Sequence, residues 1–279
     1  MIVISNGDKT SKPKLKKYLD IRSTATNRAA YAAHPDAEPS ALTKLSRDSL
    51  VGVRCNVAAN PNTPVSTLEW LMKVKGAHKS KYIKAALATN PAIPVRMLEE
   101  LYAIDVKVDE WDKTVENIVK GIAENPSATE SLLLRIVEST GDGPTLLAAS
   151  RNKGDGLTEA VLRLMATRDG WGKNSVSKHP RLPLDLIESF SKDKSYGVRM
   201  HIAEHPSTPV EILRELANDE YLAFGFYTVR VSVEKNPNTP QDVLVNIETR
   251  KSDWAEELGF KNEYESKIFY ANREKQLRD

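Results

Sequence analysis

The sequence predicts an all-α protein, a tandem-repeat solenoid of about eight helix–turn–short-helix units. Three observations carry this prediction: a recurring Asn/His-Pro dipeptide, a bulky-then-small pair ahead of it, and a leucine pair behind it. The dipeptide occurs at His34-Pro35, Asn60-Pro61, Asn90-Pro91, Asn125-Pro126, His179-Pro180, His205-Pro206 and Asn236-Pro237, in steps of 26, 30, 35, 54, 26 and 31 residues. The step of 54 reads as two of 27, with a degenerate unit around Leu147-Ala148-Ala149-Ser150-Arg151. A repeat period of this length is the signature of stacked supersecondary units.

The flanking columns repeat with it. Four residues before each proline stands Tyr31, Val57, Leu87, Ile122, Val176, Ile202 or Val233. Three before stands Ala32, Ala58, Ala88, Ala123, Ser177 or Ala203, with Glu234 the exception in the last unit. Seven and ten after stand pairs such as Leu68/Leu71, Leu98/Leu101 and Leu213/Leu216. That spacing is one helical turn, so each pair shares a face.

One unit then follows from elementary rules. A first helix carries apolar residues at i and i+4, as in Val53/Val57 and Val198/Ile202. It ends at Asn or His because proline disfavours α geometry in the residue before it. After a tight turn, Thr63-Pro64, Thr208-Pro209 and Thr239-Pro240 restart the chain, read as Thr at the N-cap and Pro at the first helical position. Thr208 with Glu211 has the spacing of a capping box. The short second helix buries its leucine pair. A single unit cannot cover both apolar stripes, and stacked units can.

Composition agrees with a packed helical protein. Of the 279 residues, 40% are hydrophobic and 28% charged, with few aromatics. No apolar run is long enough to span a bilayer, and the start, Met1 to Asn6, lacks the basic leader of a secretory signal, so a cytoplasmic protein is expected. The one cysteine, Cys55, forms no intrachain disulfide and reads as a small buried hydrophobe. The net charge of +2 is unevenly spread: residues 1–60 hold ten Lys/Arg against five Asp/Glu, and residues 181–279 hold fourteen against eighteen. The organisation expected is a basic extension over 1–20, the repeats over 21–248 and a C-terminal capping helix over 249–279, where Trp254, Leu258, Tyr264, Ile268 and Phe269 recur at roughly helical spacing.

The run from Val198 to Asp219, VRMHIAEHPSTPVEILRELAND, closely resembles the variant leucine-rich repeat, and the stretches 53–71 and 229–244 resemble it nearly as well. The resemblance covers roughly residues 21–248 and implies alternating α- and 3₁₀-type helices wound into a right-handed superhelix without β-sheet. One described member of that family carries a Cys-rich iron–sulfur module, which a chain with only Cys55 does not match, so no cofactor is expected. The steps here are longer than the family's, with extra segments at 74–82, 103–114, 139–144, 168–173 and 220–228. The family implies a scaffold and dictates no ligand.

Two features could carry binding. Seven residues before each proline except Pro126 runs a basic column, Arg28, Arg54, Lys84, Lys173, Arg199 and Arg230, while Pro126 has Val119 there with Lys120 beside it. Such a column could track phosphates or an acidic partner, or each cation could pair with an acid such as Asp48 or Asp219 and serve packing. The insertions hold Trp111, Trp171, Tyr221, Phe224, Phe226 and Tyr227, aromatics that repeat packing does not need and that suit a partner surface or a local mini-core.

Catalytic signatures are absent: there is no GxSxG, HExxH, P-loop or dinucleotide fingerprint. Asp109, Glu110 and Asp112 flank Trp111, but nothing in the sequence positions them for chemistry. Of the histidines only His201 and His205 have i,i+4 metal-ligand spacing, and a helix-end role explains the Asn/His column as a whole. The expectation is therefore a non-enzymatic scaffold, without metal or cofactor, that binds a protein partner through its concave face and insertions. Nucleic-acid binding through the basic column is the second reading. The oligomeric state is left open, with a monomer the simpler case.

Overall fold

Each proline-punctuated segment folds as two helices joined by a tight turn. The computed structural model describes residues 24–75, 77–105, 113–168, 170–223 and 226–257. Its helical pairs are α1 (Ala25–Ala33) with α2 (Pro39–Leu45), α3 (Val51–Ala59) with α4 (Val65–Met72), α5 (Ala77–Ala88) with α6 (Val95–Asp105), and α7 (Lys113–Glu124) with α8 (Glu130–Ser139). Then come α9 (Gly143–Ser150) with α10 (Glu159–Ala166), α11 (Trp171–Val176) with α12 (Leu184–Ser191), α13 (Tyr196–Glu204) with α14 (Val210–Leu216), and α15 (Thr228–Lys235) with α16 (Gln241–Glu257). The described residues are all-α except for a two-residue antiparallel pair, β1 (Leu222–Ala223) and β2 (Phe226–Tyr227), inside the 220–228 insertion. The second helices are α-helical, and the tighter i→i+3 bonding that the family resemblance implies occurs at their ends, as in Thr67 N–H to the Pro64 carbonyl at 2.8 Å and Lys73 N–H to the Trp70 carbonyl at 3.1 Å.

The contacts divide the chain into two compact units, Met1–Leu164 and Met165–Asp279, where the sequence suggests one array. In the first unit, α1, α3, α5, α7 and α9 pack side by side in that order; in the second, α11, α13 and α15 do. The bulky column and the small column, apart from Glu234, are fully buried between these neighbouring first helices. The leucine pairs are buried beneath them, with Leu244 alone half-covered. The last helix runs unbroken across residue 249, so no boundary separates the final unit from the start of the expected cap. The basic extension 1–20 and residues 258–279 lie outside the described residues.

The Asn/His column does more than end helices. The Asn60 side-chain amide donates to the carbonyls of Ala32 and His34, both at 2.8 Å. Asn90 donates likewise to Ala58 (2.7 Å) and Asn60 (2.8 Å), and Asn125 to Ala88 (2.7 Å) and Asn90 (2.9 Å). In the second unit Asn236 reaches Ala203 (2.7 Å) and His205 (3.0 Å), while His205 Nε2 lies 2.9 Å from the His179 carbonyl. Each side chain also accepts the N–H two residues on: Asn62 at 2.9 Å from Asn60 Oδ1, Ser207 at 3.1 Å from His205 Nδ1. The latter bond leaves the His205 proton on Nε2, aimed at the carbonyl. One side chain thus closes its own turn and clamps the turn of the preceding pair.

The fifth unit shows how the column survives without its proline. The ladder residue there is Asn152: its amide donates to Ala123 (2.9 Å) and Asn125 (2.7 Å). Placing Asn152 in the column divides the interval of 54 into two equal steps of 27. Lys153 replaces the proline, and the turn Gly154-Asp155-Gly156 is two residues longer, which brings Leu162 and Met165 into the leucine-pair positions, both buried. A Cβ on Gly154 would sit 2.0 Å from the Pro126 carbonyl oxygen, and one on Gly156 2.0 Å from that of Ala128. The long turn therefore lies flat on the turn before it, which only glycine permits.

The threonines also act differently from expectation. Thr63, Thr208 and Thr239 do not cap the second helix. Each hydroxyl donates back to the first helix, to Val57, Ile202 and Val233 carbonyls at 2.5 Å. Pro64 and Pro209 occupy the N-cap positions, so the Thr208/Glu211 capping box does not form. Proline already has the extended geometry an N-cap needs, and the hydroxyl is freed for an orphan carbonyl of the helix end. Where no proline stands, Thr129 caps α8 through the Leu132 N–H at 3.4 Å.

Two outcomes follow. Asn90→Ala removes three hydrogen bonds at a fully buried site and is expected to cost about 2–4 kcal/mol, with Asn90→His retaining part of the loss, as ranked by urea unfolding midpoints. Ala203→Leu overfills the seam between α13 and α15 and is expected to cost about 1–3 kcal/mol; an unchanged Tm for this variant would contradict the packing.

Candidate binding surfaces

The basic column lies on the first helices, where Arg28, Lys173 and Arg199 reach the end of the second helix in their own unit. Arg28 Nε donates to Asp48 Oδ2 at 2.6 Å and its Nη2 to Oδ1 at 3.4 Å. Arg199 makes the same fork to Asp219, at 2.6 and 3.2 Å, and Lys173 Nζ meets Asp193 at 2.9 Å. All three acids stand 20 residues after their cation. Each carboxylate also accepts a backbone N–H two residues on, from Leu50 (2.9 Å), Ser195 (2.8 Å) and Tyr221 (2.9 Å), and so starts the next helix or insertion. The next cation along closes the arrangement from the other side: Arg54 Nη1 donates to the Asp48 carbonyl and Arg199 Nη1 to that of Asp193 at 2.7 Å. Arg230, buried, reaches the Asn218 carbonyl at 3.4 Å, and Lys84 is half-buried.

Burial works to raise the Asp48 carboxyl, but the hydrogen bonds from Arg28 and the Leu50 N–H outweigh it and hold its pKa below the ordinary value. Asp193 is held low in the same way, against burial, by the Ser195 N–H and Lys173. Arg28, Lys173 and Arg199 thus direct donors inward, to their own repeat.

The aromatic candidates divide. Trp171, first residue of α11, is 62% exposed. Tyr221 is 41% exposed and stacks face to face on Tyr196, ring centroids 4.1 Å apart and planes within 8°. Trp111 and Phe224 lie outside the described residues, as do the side chains of Phe226 and Tyr227, whose backbone forms β2.

A cleft in the first unit, not singled out by the sequence columns, gathers more charge. It has a volume of about 490 Å³ and is lined by Arg47, Arg54, Trp70, Lys73, Val74 and Lys75. The Arg47 guanidinium sits over the Trp70 ring, 5.4 Å from its centroid. These residues come from the α2–α3 turn, α3 and the C-terminal end of α4. The signal that could have found it is the 20-residue cation-to-acid offset, since Val74 stands where Arg54 would have its aspartate.

The histidines have local partners. His201 Nδ1 lies 2.9 Å from the Ser177 hydroxyl, and His205 belongs to the ladder. Among the described residues no group of three or more His, Cys, Asp or Glu could hold a metal ion. Cys55 is half-buried rather than buried, and burial pushes its thiol pKa up. No helix among the described residues is long and apolar enough to cross a membrane.

Burial, with Lys178 assisting, drives His201 from an ordinary value of 6.5 down to about 4, and burial lowers His179 as well. The folded state therefore prefers neutral His201, while the unfolded chain binds a proton near 6.5. Stability from this group is fully present above pH 6.5 and is lost as the pH falls from 6.5 to about 4. The paired aspartates, held low, take up protons only below that window. A Tm that drops between these two pH values, with a shallower drop in His201→Gln, is the expected calorimetric result.

Comparison with protein-family models, with curated proteins and with solved structures finds no match to this chain.

Proposed function

We propose that the recurring helical pairs belong to a right-handed superhelical repeat array of the variant leucine-rich type, and that the chain is a non-catalytic cytoplasmic scaffold for a protein partner. The observation that carries this reading is the placement of large aromatic groups outside the packing columns. Trp171 and the Tyr196–Tyr221 stack stand at the surface of the second unit, where they add nothing to the buried seam. Rigid aromatics of this kind are the side chains that anchor protein interfaces. The insertion that carries Tyr221 interrupts the repeat without breaking its ladder, since Asn236 still reaches His205 across it.

A nucleic-acid reading is weaker on the same geometry. Three column cations commit donors to aspartates, so they present less free charge to a phosphate backbone than their spacing suggests.

The test is affinity capture from a lysate of the source cell on immobilised full-length chain, beside the double variant Trp171→Ala/Tyr221→Ala. A protein retained by the wild type and lost from the variant, with unchanged circular dichroism, is expected. Salt-dependent micromolar binding of random oligonucleotides, with no protein retained, would overturn the proposal.

A further inference from the structure

We infer that the cleft lined by Arg47, Arg54, Trp70, Lys73, Val74 and Lys75 is a socket for a carboxylate side chain on an acidic segment of a partner protein. This deepens the scaffold reading and rests on its claim that the partner is a protein.

The argument begins with what an occupied socket contains. At Arg28 and Arg199 the guanidinium fork holds an aspartate 20 residues on, with Nε the closer donor at 2.6 Å in both. Arg54 is the same column residue. Its Nη1 donates to the Asp48 carbonyl, as Arg199 Nη1 donates to the Asp193 carbonyl, so the side chain is anchored alike. Yet residue 74 is valine, and the Arg54 Nε is buried with no hydrogen-bond partner among the described residues. A buried donor on a cation without an acceptor is costly, and the repeat shows which acceptor fits it.

The surroundings agree. The cleft lining holds four cations and no carboxylate. Lys73 and Lys75 flank position 74 and are exposed, and Arg47 joins the lining from over the Trp70 ring. Like charges gathered this way repel one another until an anion joins them. A guanidinium fork matches carboxylate and phosphate alike. Carboxylate is favoured because the two intact forks of this column hold one, and because Val74 and the 39% exposed Trp70 offer an apolar wall beside the charge. An acidic residue with an apolar neighbour fits both halves of the cleft.

The experiment uses the full chain and a fluorescein-labelled hexapeptide, Glu-Leu-Glu-Leu-Glu-Leu, followed by anisotropy at low salt, with the Gln-Leu counterpart as the uncharged control. Val74→Asp fills the socket from within and leaves its four cations and Trp70 in place. It is expected to raise Tm and to weaken the acidic peptide about fivefold or more, while the Gln-Leu peptide binds neither protein. Lys73→Gln is expected to weaken the acidic peptide about two- to fivefold without a fall in Tm. No binding by the wild type, unchanged affinity in Val74→Asp, or a lower Tm in that variant would overturn the socket. Preference for a hexanucleotide over the acidic peptide would overturn the choice of carboxylate. A partner still captured by Val74→Asp would sink the socket alone, whereas loss of all protein capture by the wild type would sink the scaffold reading.

Discussion

The fold depends on a side-chain amide that serves two backbones at once. Asn60, Asn90, Asn125 and Asn152 each give both amide protons to the preceding pair and take one N–H from their own turn. Buried turn carbonyls would otherwise be without donors, since proline has broken the helix and supplies no N–H of its own. The amide solves both needs at a buried position. Histidine can replace it because an imidazole also pairs a donor with an acceptor at a similar separation, though it reaches one carbonyl where asparagine reaches two. The small column follows from the same constraint: the amide reaches its carbonyls only if the first helices approach closely, and Ala or Ser beside it allows that.

A second layer of polar bonds runs on the outside of the ladder. Ion pairs join successive second helices, Glu69 with Arg96, Glu99 with Arg135, and Arg214 with Asp242. Thr43 and Thr67 share a hydrogen bond of 2.9 Å at a comparable place. These pairs are exposed and screened by solvent, so each contributes little. The aspartates of the cation column are more enclosed and do structural work at both ends, holding a guanidinium and starting the next segment. Where such an aspartate is missing, the cation remains and the site changes character.

Much of this was legible in the sequence, for reasons that differ by residue. The bulky, small and leucine columns were readable because burial selects for size at a fixed offset, and the structure buries nearly all of them. Asn152 was hidden because Lys153 lacks the proline that marks the other units and Gly154 and Gly156 lengthen the turn. The threonines misled because a Thr-Pro pair fits two capping schemes, and only the backbone of the proline decides between them. The cation column was visible, but its pairing needed the acids at the same offset. The cleft at Arg54 was the hardest to foresee, because its mark is a residue that is not there: valine in place of an acid, with Arg47 and Trp70 brought close only by folding.

The ladder also has a direction. In every rung the donor belongs to the later pair and the acceptors to the earlier one. The two ends of such a stack are therefore chemically unlike. Cutting units from the late end exposes carbonyls, to which water readily donates. Cutting from the early end strands an amide whose two protons lose their targets while its oxygen is still held in its turn. Growth of the array by duplication is accordingly least disruptive when a new unit is appended after the last, since the newcomer brings the donors that its predecessor's carbonyls can use.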